Sequence, residues 1–193
     1  AELLLQEKAP REIPATTIRS EAPERPKSAE VSFAPDMRRI ADPLRSAKAT
    51  NVLSNGNYSV MLSSVGAGYS RLGEMAVTRW QADPVEDRHG TFLFVRDLDT
   101  GEWWSATAEP RQAPGEVCEA VFHDDKATFF KTVADLRVEV ECIVASEADG
   151  ECRRVTVFNE SSHERVVDVT SYAEVVLAPE ASDAAHPAFS KMF

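Results

Sequence analysis

The first feature of the sequence whose residue types could bind a ligand is a strand that leads into a glycine-rich loop. In "SVMLSSVGAGYSRLG", Gly66 and Gly68 form a G-x-G pair of the kind found in loops that bind phosphate. Arg71 stands where a dinucleotide motif needs its third glycine, and Glu74 stands where a P-loop needs lysine. No helix is predicted next, so no helix N-terminus faces a phosphate. We therefore predict a sharp bend at the end of a sheet rather than a nucleotide site.

Paired carboxylates and metal ligands give weaker signals. Asp97 and Asp99 have the D-x-D spacing that can hold a divalent cation, but "RDLDTG" is also typical of a hairpin turn, which we favour. Loop carboxylates are expected in so acidic a chain, so no catalytic acid or base is assigned. Cys118, Cys142 and Cys152 lie in strand-like runs without a Cys-x-x-Cys pair. We predict buried free thiols, no metal site and no cofactor.

Aromatic side chains near predicted loops and strand ends are more informative. Flat aromatic faces can stack on the C–H faces of sugar rings, and arginines can donate hydrogen bonds to sugar hydroxyls. The aromatic residues in question are Tyr69, Trp80, Trp103 and Trp104, with Arg71, Arg79 and Arg96 as the donors. Packing in the core of the domain remains an alternative role for these aromatic residues, since such residues usually dominate cores.

Composition limits the class of protein. The chain has 193 residues and a formal net charge of −11, which disfavours binding to nucleic acid. Its sequence has no apolar run of about 18 residues, the length needed to span a membrane. Residues 1–50 are rich in proline and poor in aromatic residues, which predicts an extended arm lying along a surface.

Residues 51–193 have the alternation of β-strands and little sign of helix. "DLRVEVECIVA" places apolar side chains on one face and charged side chains on the other, and "ECRRVTVFN" follows after a turn. The stretch "RVVDVTSYAEVVLA" is predicted as one long strand. Several short strands separated by turn signals predict an all-β fold, an antiparallel β-sandwich.

A longer series of motifs resembles a known family. It comprises the glycine–tyrosine–serine–arginine loop at 68–71, the Thr78-Arg79-Trp80 strand, the D-P-x-x-D loop, a strand ending in Arg96-Asp97, and "TGEWWSA". This series resembles the N-terminal sandwich domain of the cellobiose-phosphorylase family, glycoside hydrolase family 94. Within that family it is most similar to the C-terminal phosphorylase-like region of the cyclic β-1,2-glucan synthases. "TSYAEVVLAPEASDAAHPAFSKMF" and "LLLQEKAPREIP" are similar to that subgroup as well.

The resemblance implies a super-sandwich, galactose-mutarotase-like fold and a role in making and trimming β-1,2-glucan. In such synthases a glycosyltransferase region uses UDP-glucose, and a downstream α/α barrel trims the glucan with phosphate. We expect this chain to lack that barrel and its general acid, to be truncated within the sandwich, and to be non-catalytic alone. Whether it is an enzyme by itself is left open. The implied location is the cytoplasmic face of a bacterial inner membrane, as part of a larger protein.

The resemblance also suggests which residues lie at the rim of the active site or at a dimer interface. The substrate-binding residues it implies are Tyr69, Ser70, Arg71, Trp80, Arg96, Asp97 and Trp104, with His186, Phe189 and Ser190 as weaker candidates. Leu72 departs from the family, where tryptophan is frequent at this position. The expected partners are β-1,2-glucan or an oligosaccharide, the downstream barrel, and a second copy pairing through strand edges such as "YAEVVLA". The alternatives are a free-standing carbohydrate-binding module and a structural interaction domain.

Overall fold

The fold is built almost entirely from antiparallel strands, as predicted. The computed structural model describes residues 37–81 and 87–185, and the following elements lie within these ranges. The strands are β1 Arg38–Ile40, β2 Thr50–Ser54, β3 Tyr58–Ser63, β4 Gly68–Leu72, β5 Met75–Thr78, β6 Phe92–Asp97, β7 Trp103–Ser105, β8 Val117–Phe122, β9 Ala127–Val133, β10 Leu136–Val144, β11 Glu151–Asn159, β12 Val167–Tyr172 and β13 Val175–Pro179, and the helix is α1 Glu180–Ala185.

These strands form three antiparallel sheets. The first has the order β1-β8-β9-β10-β11, the second β12-β6-β7, and the third β13-β5-β4-β3-β2. One hydrophobic cluster draws on all three sheets, with Leu62 from β3, Trp104 from β7 and Val138 from β10 among its buried members. Burying each such side chain contributes roughly 1.5–3 kcal/mol, so the packed sheets hold one another in place.

The alternation predicted for residues 135–145 is confirmed in β10. Its even-numbered residues from Leu136 to Cys142 are buried and pack in the core, whereas the residues between them are partly exposed. A two-residue turn, Ala134-Asp135, joins β9 to β10, and both residues have positive φ. Such a turn matches the right-handed twist of the paired strands, although the sequence lacks the Asn-Gly signal that usually predicts it.

The single long strand predicted for residues 165–178 is wrong. The structure has two strands here, β12 paired with β6 and β13 paired with β5, so the chain changes sheet between Tyr172 and Val175. The carbonyl of Glu174 accepts a hydrogen bond of 2.8 Å from the Arg79 amide, which draws the chain toward β5. Leu177 has a φ of 53° within a register shift of β13, so a bulge also interrupts the alternation.

Two further elements lie where local patterns in the sequence are weak. Strand β1 falls inside the range 1–50 assigned to the arm, and it pairs with β8 through Arg38 opposite Phe122 and Ile40 opposite Ala120. Helix α1 has six residues, too few for a helical period to be recognised in the sequence. The rest of the predicted arm, residues 1–36, lies outside the described residues. In the described part of the chain, no helix is long and apolar enough to cross a membrane.

Candidate functional site

The glycine-rich loop is a tight connection between β3 and β4, which pair as a hairpin. Gly66 has a φ of 100°, and a Cβ there would lie 2.3 Å from the side chain of Thr107. A Cβ on Gly68 would lie 1.8 Å from the carbonyl oxygen of Met61, and the Gly68 amide donates to the carbonyl of His89. Both glycines therefore serve close packing, and the loop leads into a strand rather than a phosphate-binding helix.

Strand β4 presents its side chains alternately outward and inward. Tyr69 and Arg71 lie on the outer face, half-buried, and Ser70 points into the sandwich. The Ser70 hydroxyl donates to Glu151 Oε1 at 2.8 Å, and the Ser70 amide donates to Thr78 Oγ1 at 2.9 Å. Ser70 thus ties β4 to a strand of another sheet, and this holds its two neighbours in position on the surface.

A cavity of about 230 Å³ lies on this outer face, and we call it the first cavity. It is lined by Tyr69, Ser70, Arg71, Ala76, Thr78, Trp80 and Glu180. The rings of Tyr69 and Trp80 are tilted by 59° with centroids 5.6 Å apart. Four residues predicted from the sequence, at positions 69, 70, 71 and 80, therefore lie together. An aromatic pair beside a guanidinium, a hydroxyl and a carboxylate can contact both the apolar and the polar faces of a sugar.

Arg79 anchors helix α1 to this region, and so brings Glu180 to the cavity. Its Nε and Nη2 atoms donate to the two carboxylate oxygens of Asp183 at 2.9 and 2.8 Å, and its Nη1 donates to Glu174 at 2.5 Å. The hydrogen bonds to Asp183 chiefly raise the pKa of the Arg79 guanidinium above its ordinary value. The guanidinium of Arg79 therefore serves the fold rather than the sugar hydroxyls for which the sequence analysis considered it.

Three residues of the first cavity were not predicted from the sequence. Ala76 and Thr78 lie on the same face as Arg71, because Arg71 pairs with Ala76 across the β4–β5 hairpin. The short turn "GE" at 73–74 sets that register, so the position of both residues on this face could have been predicted from the sequence. Glu180 reaches the cavity because it follows β13, which pairs with β5, and because Arg79 binds α1. No local pattern in the sequence predicts these long-range contacts.

The comparisons with known proteins agree with the predicted resemblance. Residues 35–193 match the model of the "Glycosyl hydrolase 94, supersandwich domain". The chain belongs to this family. A similar protein is "Cyclic beta-(1,2)-glucan synthase NdvB" of Rhizobium meliloti (strain 1021), which is 56% identical over 193 residues. The match covers 100% of this chain but 7% of that protein, so the chain spans a small part of the length of this relative.

Two of the predicted site residues are buried in the supersandwich domain. Trp104 is 2% exposed and packs in the core. Asp97 is 1% exposed, forms an ion pair with Arg165, and accepts a hydrogen bond from the Asp99 amide. Burial raises the pKa of the Asp97 carboxyl, but these partners outweigh it and the pKa lies below its ordinary value. Their burial favours the packing and hairpin roles that the sequence analysis kept open.

Arg96 lies apart from the first cavity, in the second sheet of the supersandwich domain. It is exposed and lines another cavity, of about 460 Å³, together with Phe94, Gly101, Trp103 and Thr170. We call this the second cavity. The weaker candidates at positions 186, 189 and 190 lie outside the described residues.

The cysteines differ from one another in the supersandwich domain. Cys118 and Cys142 are buried as predicted, and burial raises the pKa of each thiol to about 12. Cys152 is exposed, so the prediction of three buried thiols is wrong for this residue, which lies on the edge strand β11. Within 37–81 and 87–185, no group of three or more His, Cys, Asp or Glu side chains is arranged to hold a metal ion.

Proposed function

We propose that this supersandwich domain is a non-catalytic segment of a cyclic β-1,2-glucan synthase, and that its first cavity contacts the glucan. The observation that carries the proposal is the 56% identity along all 193 residues to a protein named as such a synthase. The parent would build β-1,2-glucan from UDP-glucose and trim it by phosphorolysis in a barrel downstream of this chain. Its place would be the cytoplasmic face of a bacterial inner membrane.

The composition of the first cavity supports a binding role rather than a catalytic one. Glycoside hydrolysis uses two carboxyl groups that flank the bond to be broken. Among the described residues that line the cavity, Glu180 is the one carboxylate, and the Ser70 hydroxyl is already bonded to Glu151. The general acid and the site of phosphate attack would then belong to another part of the parent protein.

The size of the first cavity supports contact with one sugar ring. Its volume of about 230 Å³ lies below the range of about 300–1,000 Å³ that is usual for drug-sized ligands. The Tyr69 and Trp80 rings would contact the C–H face of a glucose unit, while Arg71 and Glu180 would bond to its hydroxyls. A single ring would give the isolated chain a dissociation constant of about 1 mM or weaker, since small ligands gain roughly 0.3 kcal/mol per heavy atom.

Titration of the isolated chain with β-1,2-linked gluco-oligosaccharides tests this role. We expect the NMR signals of Tyr69 and Trp80 to shift on addition of sugar, and Trp80→Ala to weaken binding about tenfold, as for an aromatic anchor. Val52→Ala is the control, because Val52 is exposed on another strand of the same sheet and does not line the cavity. Binding that is unchanged by both Trp80→Ala and Tyr69→Ala would contradict the proposal.

The same titration separates the proposal from a free-standing carbohydrate-binding module. A module binds the glucan as tightly alone as it does within a longer protein. A segment of a synthase binds weakly alone and more tightly when the rest of the parent supplies further contacts. Equal affinities of the isolated chain and of the longer protein would favour the module, and no binding by either would favour a structural interaction domain.

A further inference from the structure

The second cavity lies on the outer face of the three-stranded sheet. Across this sheet Arg96 of β6 is paired with Trp103 of β7 on one side and with Asp168 of β12 on the other. Two residues before Arg96 on β6, Phe94 is paired with Thr170 of β12. Since residues paired across antiparallel strands project to the same face, the pairing brings aromatic, cationic, acidic and hydroxyl groups together on one surface.

Trp103 is an exposed aromatic residue that its surroundings hold in a fixed orientation. It is 43% exposed, whereas its neighbour Trp104 faces the core. The guanidinium carbon of Arg111 lies 4.0 Å from the centroid of the Trp103 ring, and Arg111 Nε donates to the Trp103 carbonyl at 2.9 Å. The planes of the Phe94 and Trp103 rings are at 71° to each other, and the ring centroids lie 5.6 Å apart. The indole is therefore supported by its neighbours while much of it remains open to solvent.

The polar groups around this indole have no partner in the described part of the chain. No hydrogen bond or ion pair is formed there by the side chains of Arg96, Asp168 or Thr170, and all three residues are exposed. A guanidinium that donates, a carboxylate that accepts and a hydroxyl that does both can bond to neighbouring hydroxyls of one sugar. An apolar protein segment would instead leave these charged groups buried and unpaired, at a cost.

We propose that the second cavity is a further carbohydrate-binding site, which takes a glucose unit of a glucan chain with its C–H face against Trp103. Arg96 and Thr170, which line the cavity, bond to the hydroxyls at the edge of the ring, and Asp168 beside Arg96 is a further acceptor at the rim. The volume of about 460 Å³ is twice that of the first cavity and leaves room for part of an adjoining sugar. The choice of β-1,2-glucan as the ligand rests on the proposed function, whereas the choice of a sugar rests on the groups in the cavity.

The experiment is a titration of the ¹⁵N-labelled chain with β-1,2-linked glucose disaccharide and longer β-1,2-gluco-oligosaccharides. The chain has 3 tryptophans, so the indole N–H signals report separately on Trp80, Trp103 and Trp104. We expect the Trp103 signal to shift with sugar and the buried Trp104 signal to change least. Trp103→Ala should weaken binding at this cavity about tenfold, as followed by the backbone amides of β6 and β12.

The control is Leu98→Ala, because Leu98 is 44% exposed, nearly as much as Trp103, and does not line the second cavity. It should leave the titration unchanged, and thermal unfolding of each variant verifies that it folds. Trp103→Phe keeps a flat ring and should retain most of the affinity, which separates stacking from a general loss of structure.

The outcomes distinguish this inference from the proposed function. If the Trp103 signal shifts while those of Tyr69 and Trp80 do not, the second cavity stands and the role of the first cavity falls. If only Tyr69 and Trp80 respond, this inference is overturned. It is also overturned if no sugar shifts the NMR signal of Trp103 and the fluorescence of Trp103 becomes protected from acrylamide quenching within the longer protein. A protein contact would then cover this side chain.

Discussion

The first and second cavities both place a tryptophan beside an arginine, yet they are held together in different ways. The first cavity is closed by a helix whose anchoring residue Asp183 lies 104 positions from Arg79 in the sequence. The second cavity is supported by Arg111, which lies 8 positions from Trp103. One site therefore depends on a long-range ion pair and the other on a local loop, so each can be disrupted without the other.

The largest effect should come from Lys131, which supports the loop behind the second cavity. Its side chain is fully buried at 0% exposure, forms an ion pair of 2.8 Å with Glu116, and donates to the carbonyls of Thr107 and Arg111. Lys131→Ala leaves the buried carboxylate of Glu116 without its cation and removes one donor from each of the two carbonyls. We expect the free energy of unfolding, measured in urea, to fall by about 3–5 kcal/mol.

The control for this change is Lys126→Ala, because Lys126 pairs with Glu141 near the surface. It should cost less than about 1 kcal/mol. If Lys131→Ala does not fold, the double variant Lys131→Met with Glu116→Gln should recover much of the stability, because it removes both charges. Equal losses for Lys131→Ala and Lys126→Ala would contradict the account of the buried pair.

A smaller effect should follow from Arg79→Ala, which breaks the anchor of the first cavity. Loss of the hydrogen bonds to Asp183 and Glu174 should lower the free energy of unfolding by about 1.5–3 kcal/mol. Helix α1 should detach, and NMR signals of Tyr69 and Trp80 should shift while that of Trp103 stays. Arg45→Ala is the control at an exposed arginine, and comparable shifts at both cavities would contradict their independence.

Acid should lower the free energy of unfolding through Asp97, which lies on β6 beneath the second cavity. The pKa of Asp97 lies below its ordinary value of 3.8, because the ionised form is bonded to Arg165 and to backbone amide. The stabilisation is therefore present above pH 3.8 and is lost as the pH falls through the lowered pKa. We expect the unfolding free energy to fall less steeply below pH 4 in Asp97→Asn than in the parent chain, as measured by denaturation across pH. Identical slopes would show that Asp97 does not contribute.

The smallest effect should come from Leu177, which lies in the strand next to the first cavity. Its φ of 53° is costly for a residue with a side chain, by roughly 1 kcal/mol, and its side chain is exposed. Leu177→Gly should therefore stabilise the chain by about 0.5 kcal/mol, because relief of strain is partly offset by the greater freedom of glycine when unfolded. Leu177→Val should destabilise it in the same denaturation measurement. A loss of stability with glycine larger than that with valine would contradict the assigned backbone conformation.

The sequence predicted those parts of the fold that depend on local patterns. The alternation in β10, the returning strand β11 and the bend at Gly66 to Gly68 follow from period and turn chemistry, and the structure confirms them. The break between β12 and β13 was not predicted, because the apolar run is continuous and the contacts of Glu174 with Arg79 decide the change of sheet. Contacts between distant residues leave no local pattern.

The same distinction applies to the two cavities. Tyr69, Arg71 and Trp80 could be grouped from the sequence because they lie within one hairpin and its end. Glu180 could not, since it arrives through α1. The adjacent residues Trp103 and Trp104 show a further limit: alternation requires that one faces inward, but only the register of β7 with β6 decides that Trp103 faces the solvent.

The most direct test of the central claim is an NMR measurement of contacts between bound sugar and aromatic side chains. We expect nuclear Overhauser effects between a β-1,2-gluco-oligosaccharide and the ring protons of Tyr69 and Trp80. They should disappear in Trp80→Ala and persist in Val52→Ala. Bound oligosaccharide without any such contact to Tyr69 or Trp80 would contradict the claim that the first cavity of this supersandwich domain contacts the glucan.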